Sequence, residues 1–134
     1  VEQGAGAVLN VASTAAFQPL PGFATYAASK AFVHSFSEAV HSELSGTGVS
    51  VTSLCPGFTR TEFEQAAGAE DAASKLPGFT WMESDEVARQ AIDGMLAGKR
   101  TVVPGALNKA VSASGRFIPR TVLLPLVKTV SKNA

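Results

Sequence analysis

Between Ala24 and Ser45 the chain runs without a single proline or glycine, and no other feature narrows its folding options as much. Ala27, Ala28, Ala31, Phe32, Phe36, Ala39, Val40 and Leu44 supply helix formers and an apolar side, so this stretch predicts one long helix. Gly46 and Gly48 stop it. Before it, Ala7-Val8-Leu9-Asn10-Val11-Ala12 is a short, nearly continuous apolar run, the pattern of a strand covered on both faces in a parallel sheet. After it, Val49-Ser50-Val51-Thr52-Ser53-Leu54 is a β-branched run ended by Pro56-Gly57. The unit is strand, helix, strand. Residues Ser13 to Phe23, with Pro19, Pro21 and Gly22, continue neither a strand nor a helix and read as a loop at the C-terminal end of the first strand.

The second half repeats the alternation. Ser84 is the expected N-cap of another helix, with Asp85 and Glu86 where the helix dipole favours anions, and Val87, Ala88, Ala91, Ile92, Met95 and Leu96 at helical spacing up to Gly98. Arg100-Thr101-Val102-Val103 reads as a last strand closed by Pro104-Gly105. Phe58 to Trp81 mixes Pro77, Gly68 and Gly78 with alanines and acidic residues, and predicts an irregular segment with one short helix near Glu62 to Ala67. Strands alternating with helices through short connections imply the α/β class with a right-handed parallel sheet.

Composition excludes several classes of function. A hydrophobic share of 46% over 134 residues is ample for a buried core, in one small domain or part of a larger one. Eleven basic residues balance eleven acidic ones, so the electrostatic footprint of a nucleic-acid binder is missing. The lone Cys55 has no partner for an internal disulfide and suits a reducing compartment, here taken as the cytoplasm. The longest aliphatic run near the C-terminus, Val122 to Val127, is broken by Pro125 and is far shorter than a membrane span. Val1-Glu2-Gln3-Gly4 has neither the basic start nor the apolar stretch of a signal peptide, and the missing initiator methionine suggests a fragment.

Tyr26 and Lys30 lie one helical turn apart on the long helix, within reach of each other. A phenol is a poor proton donor or acceptor at neutral pH until a nearby cation favours its phenolate, and Lys30 is such a cation. Ser13 sits at the end of the preceding strand, where open parallel sheets place their ligands, and its hydroxyl can bond a carbonyl. Taken one at a time, these are ordinary surface neighbours and a turn serine. Taken together they form a pattern: Tyr26-Ala27-Ala28-Ser29-Lys30 matches Y-x-A-S-K, Asn10-Val11-Ala12-Ser13 matches a strand that delivers a serine, and Pro56-Gly57-Phe58-Thr59-Arg60-Thr61 matches P-G-x-x-x-T. From about Gly4 to Gly105 the chain resembles the short-chain dehydrogenase/reductase family, with the weakest likeness between Glu62 and Glu83.

That resemblance implies the C-terminal half of a Rossmann-like, doubly wound parallel sheet, with residues 1–134 forming the C-terminal portion of a single NAD(P)-binding domain. It implies an oxidoreductase that interconverts a carbonyl and an alcohol by hydride transfer with NAD or NADP. Tyr26 would be the general acid in reduction and the base in oxidation. Lys30 would lower the phenol's pKa and bond the nicotinamide ribose, and Ser13 would orient the substrate oxygen. The Pro56-Gly57 turn, the Thr59 backbone and the Thr61 hydroxyl would hold the nicotinamide carboxamide. The partners implied are a small carbonyl or alcohol substrate and a second subunit, joined through the long helix as a dimer. The family's glycine-rich phosphate loop, its NAD/NADP selector and its N-N-A-G motif all precede the serine strand and are not present here. Gly4-Ala5-Gly6 is no substitute, because a phosphate loop follows a strand and opens a helix. These residues alone are therefore expected to be inactive and poorly folded.

Other residues leave alternatives open. His34 and His41 share a helix face, and without a third ligand packing is a better expectation than a metal site. Cys55 is expected to be a buried structural thiol. Phe63, Phe79 and Trp81 either line an apolar substrate pocket or pack under a loop. The tail from Arg116 to Lys132, with Arg120 and Lys128, either touches a membrane or partner surface or docks on the body, docking being preferred because Pro119 and Pro125 interrupt it. Two rival functions stand beside the oxidoreductase. One is the extended branch of the superfamily, with epimerases and dehydratases that also carry Y-x-x-x-K, against which the P-G-x-x-x-T motif argues. The other is a non-catalytic, truncated Rossmann-like binding or interaction protein.

Overall fold

The computed structural model describes residues 2–62, 77–114, 118, 121–122 and 124–125. The short helix expected near Glu62 to Ala67 falls outside them except for Glu62, as do Phe63 and most of the tail, including Arg116, Arg120, Lys128 and Lys132.

The apolar run forms β1 (Gly6–Val11) and the helix-favouring stretch forms α1 (Ala24–Glu43). The β-branched run forms β2 (Val49–Leu54), the residues predicted for it. β1 and β2 pair in parallel from Gly6 opposite Val49 to Val11 opposite Leu54. The strand therefore starts one residue earlier than expected, because Gly6 still has Val49 to pair with. Gly48, at φ +78°, lets the chain turn into β2 where a side chain would run into the Gly4 carbonyl. Between β1 and α1 lies a 3-10 turn, Thr14–Phe17, inside what the sequence reads as a plain loop.

Beyond β2 two very short strands, β3 (Thr59–Arg60) and β4 (Met82–Glu83), pair in parallel with each other, flanked by a second 3-10 turn at Gly78–Thr80. Helix α2 (Ser84–Leu96) leads to β5 (Thr101–Val102), which pairs in parallel with β2, and α3 (Ala106–Ser114) follows. The N-cap of α2 is Glu83, with no side-chain cap bond, so Ser84 is the first helical residue and not the cap. The β3–β4 ladder fixes the entry to α2 instead. Helix α3 lies where the sequence offered no expectation.

The main sheet runs β1–β2–β5. Side chains alternate across it, and the alternation separates the helices. Leu54, Val102 and partly Leu9 pack with Val87 and Ala91 of α2, whereas Ser53 and Asn10 bond His34 and Ser37 of α1. Helices thus cover both faces, the arrangement of a doubly wound α/β sheet. Gly94 lets α2 approach β5, since a methyl group there would strike the Val102 side chain. The helix α1 is also pinned to β5 by Glu38, which accepts from the Arg100 guanidinium at 3.0 Å and the Thr101 hydroxyl at 3.1 Å.

Among the described residues β1 has no strand on its outer side, and Val8 and Val11 remain 47% and 53% exposed. An apolar unpaired edge promotes association. These residues expressed alone are expected to bind an apolar dye, to self-associate and to turn over no nicotinamide cofactor. A monodisperse, cooperatively melting, active preparation in light scattering, calorimetry and absorbance assays is the opposite outcome. No helix among the described residues is long and apolar enough to cross a membrane.

Candidate active site

The sheet's C-terminal end collects most of the sequence-predicted site. From α1, the Lys30 ammonium donates to the Val11 carbonyl at 3.1 Å and lies 5.7 Å from the centroid of the Tyr26 ring. Val11 is the last residue of β1, so the lysine joins the helix to the strand end from which Ser13 departs. Tyr26 itself is half-buried. Ser13 caps the 3-10 turn, its hydroxyl accepting from the Ala15 amide at 3.1 Å. Serine is a preferred residue for that task, and the bond gives the side chain one defined direction.

The turns that leave β1 and β2 are bound to each other. The Ala12 amide donates to the Leu54 carbonyl at 2.7 Å and the Thr14 amide to the Pro56 carbonyl at 2.8 Å. The serine turn and the Pro56-Gly57 turn are therefore tied together through their backbones. The Thr59 hydroxyl donates to the Gly57 carbonyl at 3.1 Å and so closes its own turn. Thr61 lies immediately past β3 and is exposed.

Beneath these turns is a buried polar cluster that sequence reasoning did not find. His34 Nδ1 is 3.0 Å from the Ser53 hydroxyl, and the Cys55 thiol lies 3.6 Å from that hydroxyl and 3.7 Å from His34 Nδ1. His34 Nε2 faces Glu38 at 3.7 Å, and the Phe17 ring meets the imidazole edge-on at 4.9 Å. His34 and Ser53 are buried and Cys55 is wholly so. Burial pushes the Cys55 thiol up, hydrogen bonds from Ser53 and the Ser13 backbone act against this, and Glu38 adds to the rise. A thiol kept protonated is a weak nucleophile, which fits the structural role expected for it. His41 also faces β2, with Nδ1 2.7 Å from the Val51 carbonyl, so both histidines serve as anchors between helix and strand. The sequence spaces them on one face but does not reveal their partners, which lie on another element.

Of the two aromatic residues offered for a pocket within the described part, Trp81 packs against Phe58 at 5.4 Å and beneath the Arg60 guanidinium at 5.9 Å. Arg60 in turn pairs with Glu83 at 2.9 Å, across the β3–β4 ladder. Phe79 stands exposed.

Residues 1–72 match the family model described as short chain dehydrogenase. A sulfoacetaldehyde reductase of Chromohalobacter salexigens is 43% identical over 94 residues, covering 67% of this chain and 37% of the relative. Among solved structures, a short-chain dehydrogenase from Burkholderia cenocepacia in complex with NADP superimposes with a TM-score of 0.72 at 26% identity, covering 94% of this chain and 48% of the other. A short-chain dehydrogenase from Sphingobium yanoikuyae in complex with NADPH gives 0.67 at 31% identity, covering 89% and 48%. The chain spans less than half the length of these relatives.

Proposed function

Because this chain belongs to the short-chain dehydrogenase family, we propose that it serves an NAD(P)-dependent oxidoreductase interconverting a carbonyl and an alcohol, with Tyr26, Lys30 and Ser13 as its catalytic residues. The observation that carries this reading is the position of the Lys30 ammonium, between the Tyr26 ring and the strand end that leads to Ser13. Its bond to the Val11 carbonyl ties the helix carrying Tyr26 to that strand end.

The residues fit a nicotinamide cofactor, either NAD or NADP. The Pro56-Gly57 turn lies at the C-terminal ends of parallel strands, where open α/β sheets take their ligands. Lys30 commits one of an ammonium's three donors to Val11, which leaves directions for ribose hydroxyls. Pro56, Gly57, Thr59 and Thr61 would hold the carboxamide end. The bound cofactor supplies or accepts the hydride. Tyr26 gives its hydroxyl proton to the carbonyl oxygen in reduction and takes it back in oxidation. Ser13 donates to the same oxygen and fixes its place, while the Lys30 ammonium stands beside the Tyr26 ring.

The substrate is a small carbonyl or alcohol, and a cytoplasmic location agrees with the lone, buried thiol. The exposed, stacked Phe32 and Phe36 rings, 6.1 Å apart on α1, support a homo-oligomer through that helix. The test is the full-length protein containing these residues, assayed with NADH and NADPH against a panel of carbonyl compounds and sized by light scattering. Turnover with at least one cofactor and a dimer or larger species are expected. Absence of any cofactor binding would favour the non-catalytic alternative, and a monomer would remove the assembly.

A further inference from the structure

Gly57 is closed in by a side chain to which the sequence assigned no role. A methyl group on its α-carbon would lie 2.6 Å from both Cγ and Nδ2 of Asn108 and closer still to Oδ1, well inside the roughly 3.5–4.0 Å of ordinary contact. The Asn108 carboxamide therefore rests directly on the Gly57 backbone. Asn108 stands near the start of α3, and its place there is fixed. Its Nδ2 donates to the Pro104 carbonyl at 2.9 Å and points to the Met82 sulfur at 3.7 Å.

The support behind Asn108 is equally constrained. Pro104 is fully buried. Gly105 turns with φ +81°, and a methyl group there would come within 2.8 Å of the Met82 sulfur. The Gly105 amide donates to Gln90 of α2 at 3.3 Å. Asn108 thus transmits the positions of β4, α2 and the end of β5 to one atom of the Pro56-Gly57 turn. Asparagine suits the task because its short, planar head makes a donor bond on one side and presents a flat contact on the other.

We propose that Asn108 is a positioning residue for the nicotinamide end of the cofactor site, acting through Gly57. This rests on the oxidoreductase reading above. Leucine at this position keeps the volume and removes the donor, so the head is released from Pro104 and the turn loses its support. Losing about one hydrogen bond's worth of placement is expected to weaken binding about tenfold.

The experiment compares two ligands on the full-length protein. The favoured cofactor, NADH or NADPH, carries the nicotinamide, and the matching ADP-ribose or its 2′-phosphate lacks it. Asn108→Leu is expected to weaken cofactor binding about tenfold while the ribose ligand changes less than about twofold. Equal effects on both ligands, or none, would overturn the proposal, since a general loss of folding moves both together. A second comparison uses the close approach itself. Gly57→Ala is expected to impair cofactor binding, and Asn108→Ala in the same chain to restore much of it by vacating the methyl group's space. Simple addition of the two losses would overturn the proposal. A wild-type protein that binds neither NADH nor NADPH overturns the oxidoreductase reading and this inference with it, whereas normal wild-type binding beside unresponsive variants overturns this inference alone.

Discussion

Tyr26→Phe in the full-length protein is expected to lower turnover about 10²–10⁴-fold, the range for removal of a positioned general acid or base. The substitution deletes one oxygen and keeps the ring. The contact between that ring and the Lys30 ammonium, 5.7 Å from its centroid, can therefore persist, as can the helix that bears both. Cofactor affinity and melting temperature should stay close to those of the parent, so the loss falls on kcat. Single-turnover kinetics with the favoured cofactor separate this from slow product release. A variant that keeps more than about a tenth of the rate would show that another group moves the proton. The helix would then carry only a surface pair, the commonest meaning of Tyr and Lys one turn apart.

The parts of this fold that the sequence made legible are those set by local pattern. Freedom from glycine and proline over Ala24 to Ser45 locates α1, which ends at Glu43 as its last carbonyls meet the Leu44 to Thr47 turns. The β-branched run of β2 has the bounds expected of it. What escaped depends on residues far apart in the chain. Thr59 and Arg60 form a strand only because Met82 and Glu83 lie beside them, and two residues carry no periodicity of their own. His34 looks like any helix histidine until Ser53 and Cys55 are brought beneath it.

The site divides in the same way. Tyr26 and Lys30 are legible together because one helix presents both, and Ser13 because a strand must end somewhere near them. The bond from Lys30 to Val11 and the bond from Thr14 to Pro56 join elements that no spacing rule connects. Asn108 lies beyond the last recognised turn, in a helix the sequence did not announce. Its importance comes from the absence of a side chain at Gly57, and a sequence records such an absence without saying what fills the space.

Lys30→Met carries the second large effect, and it separates charge from packing. Methionine retains most of the aliphatic stem, so the helix surface near Tyr26 stays covered, while the ammonium is lost. A contact pair of unit charges is worth about 1 kcal/mol in water and about 4 kcal/mol near a protein surface, and Lys30 is only partly shielded from water. Screening lowers the electrostatic share to about tenfold in rate, and the lost donor to a cofactor ribose adds to it. The combined fall in kcat/KM is expected to be about 10²-fold, with a higher KM for the cofactor, which Tyr26→Phe does not produce. Lys30→Arg should recover only part of this, because a guanidinium keeps the charge but spreads it over a planar fork that cannot sit on the Val11 carbonyl as a compact ammonium does. Purely structural use of Lys30 gives a different pattern. Melting temperature would fall in both variants through loss of the bond to β1, and kcat/KM, measured well below the transition, would remain at the parent value.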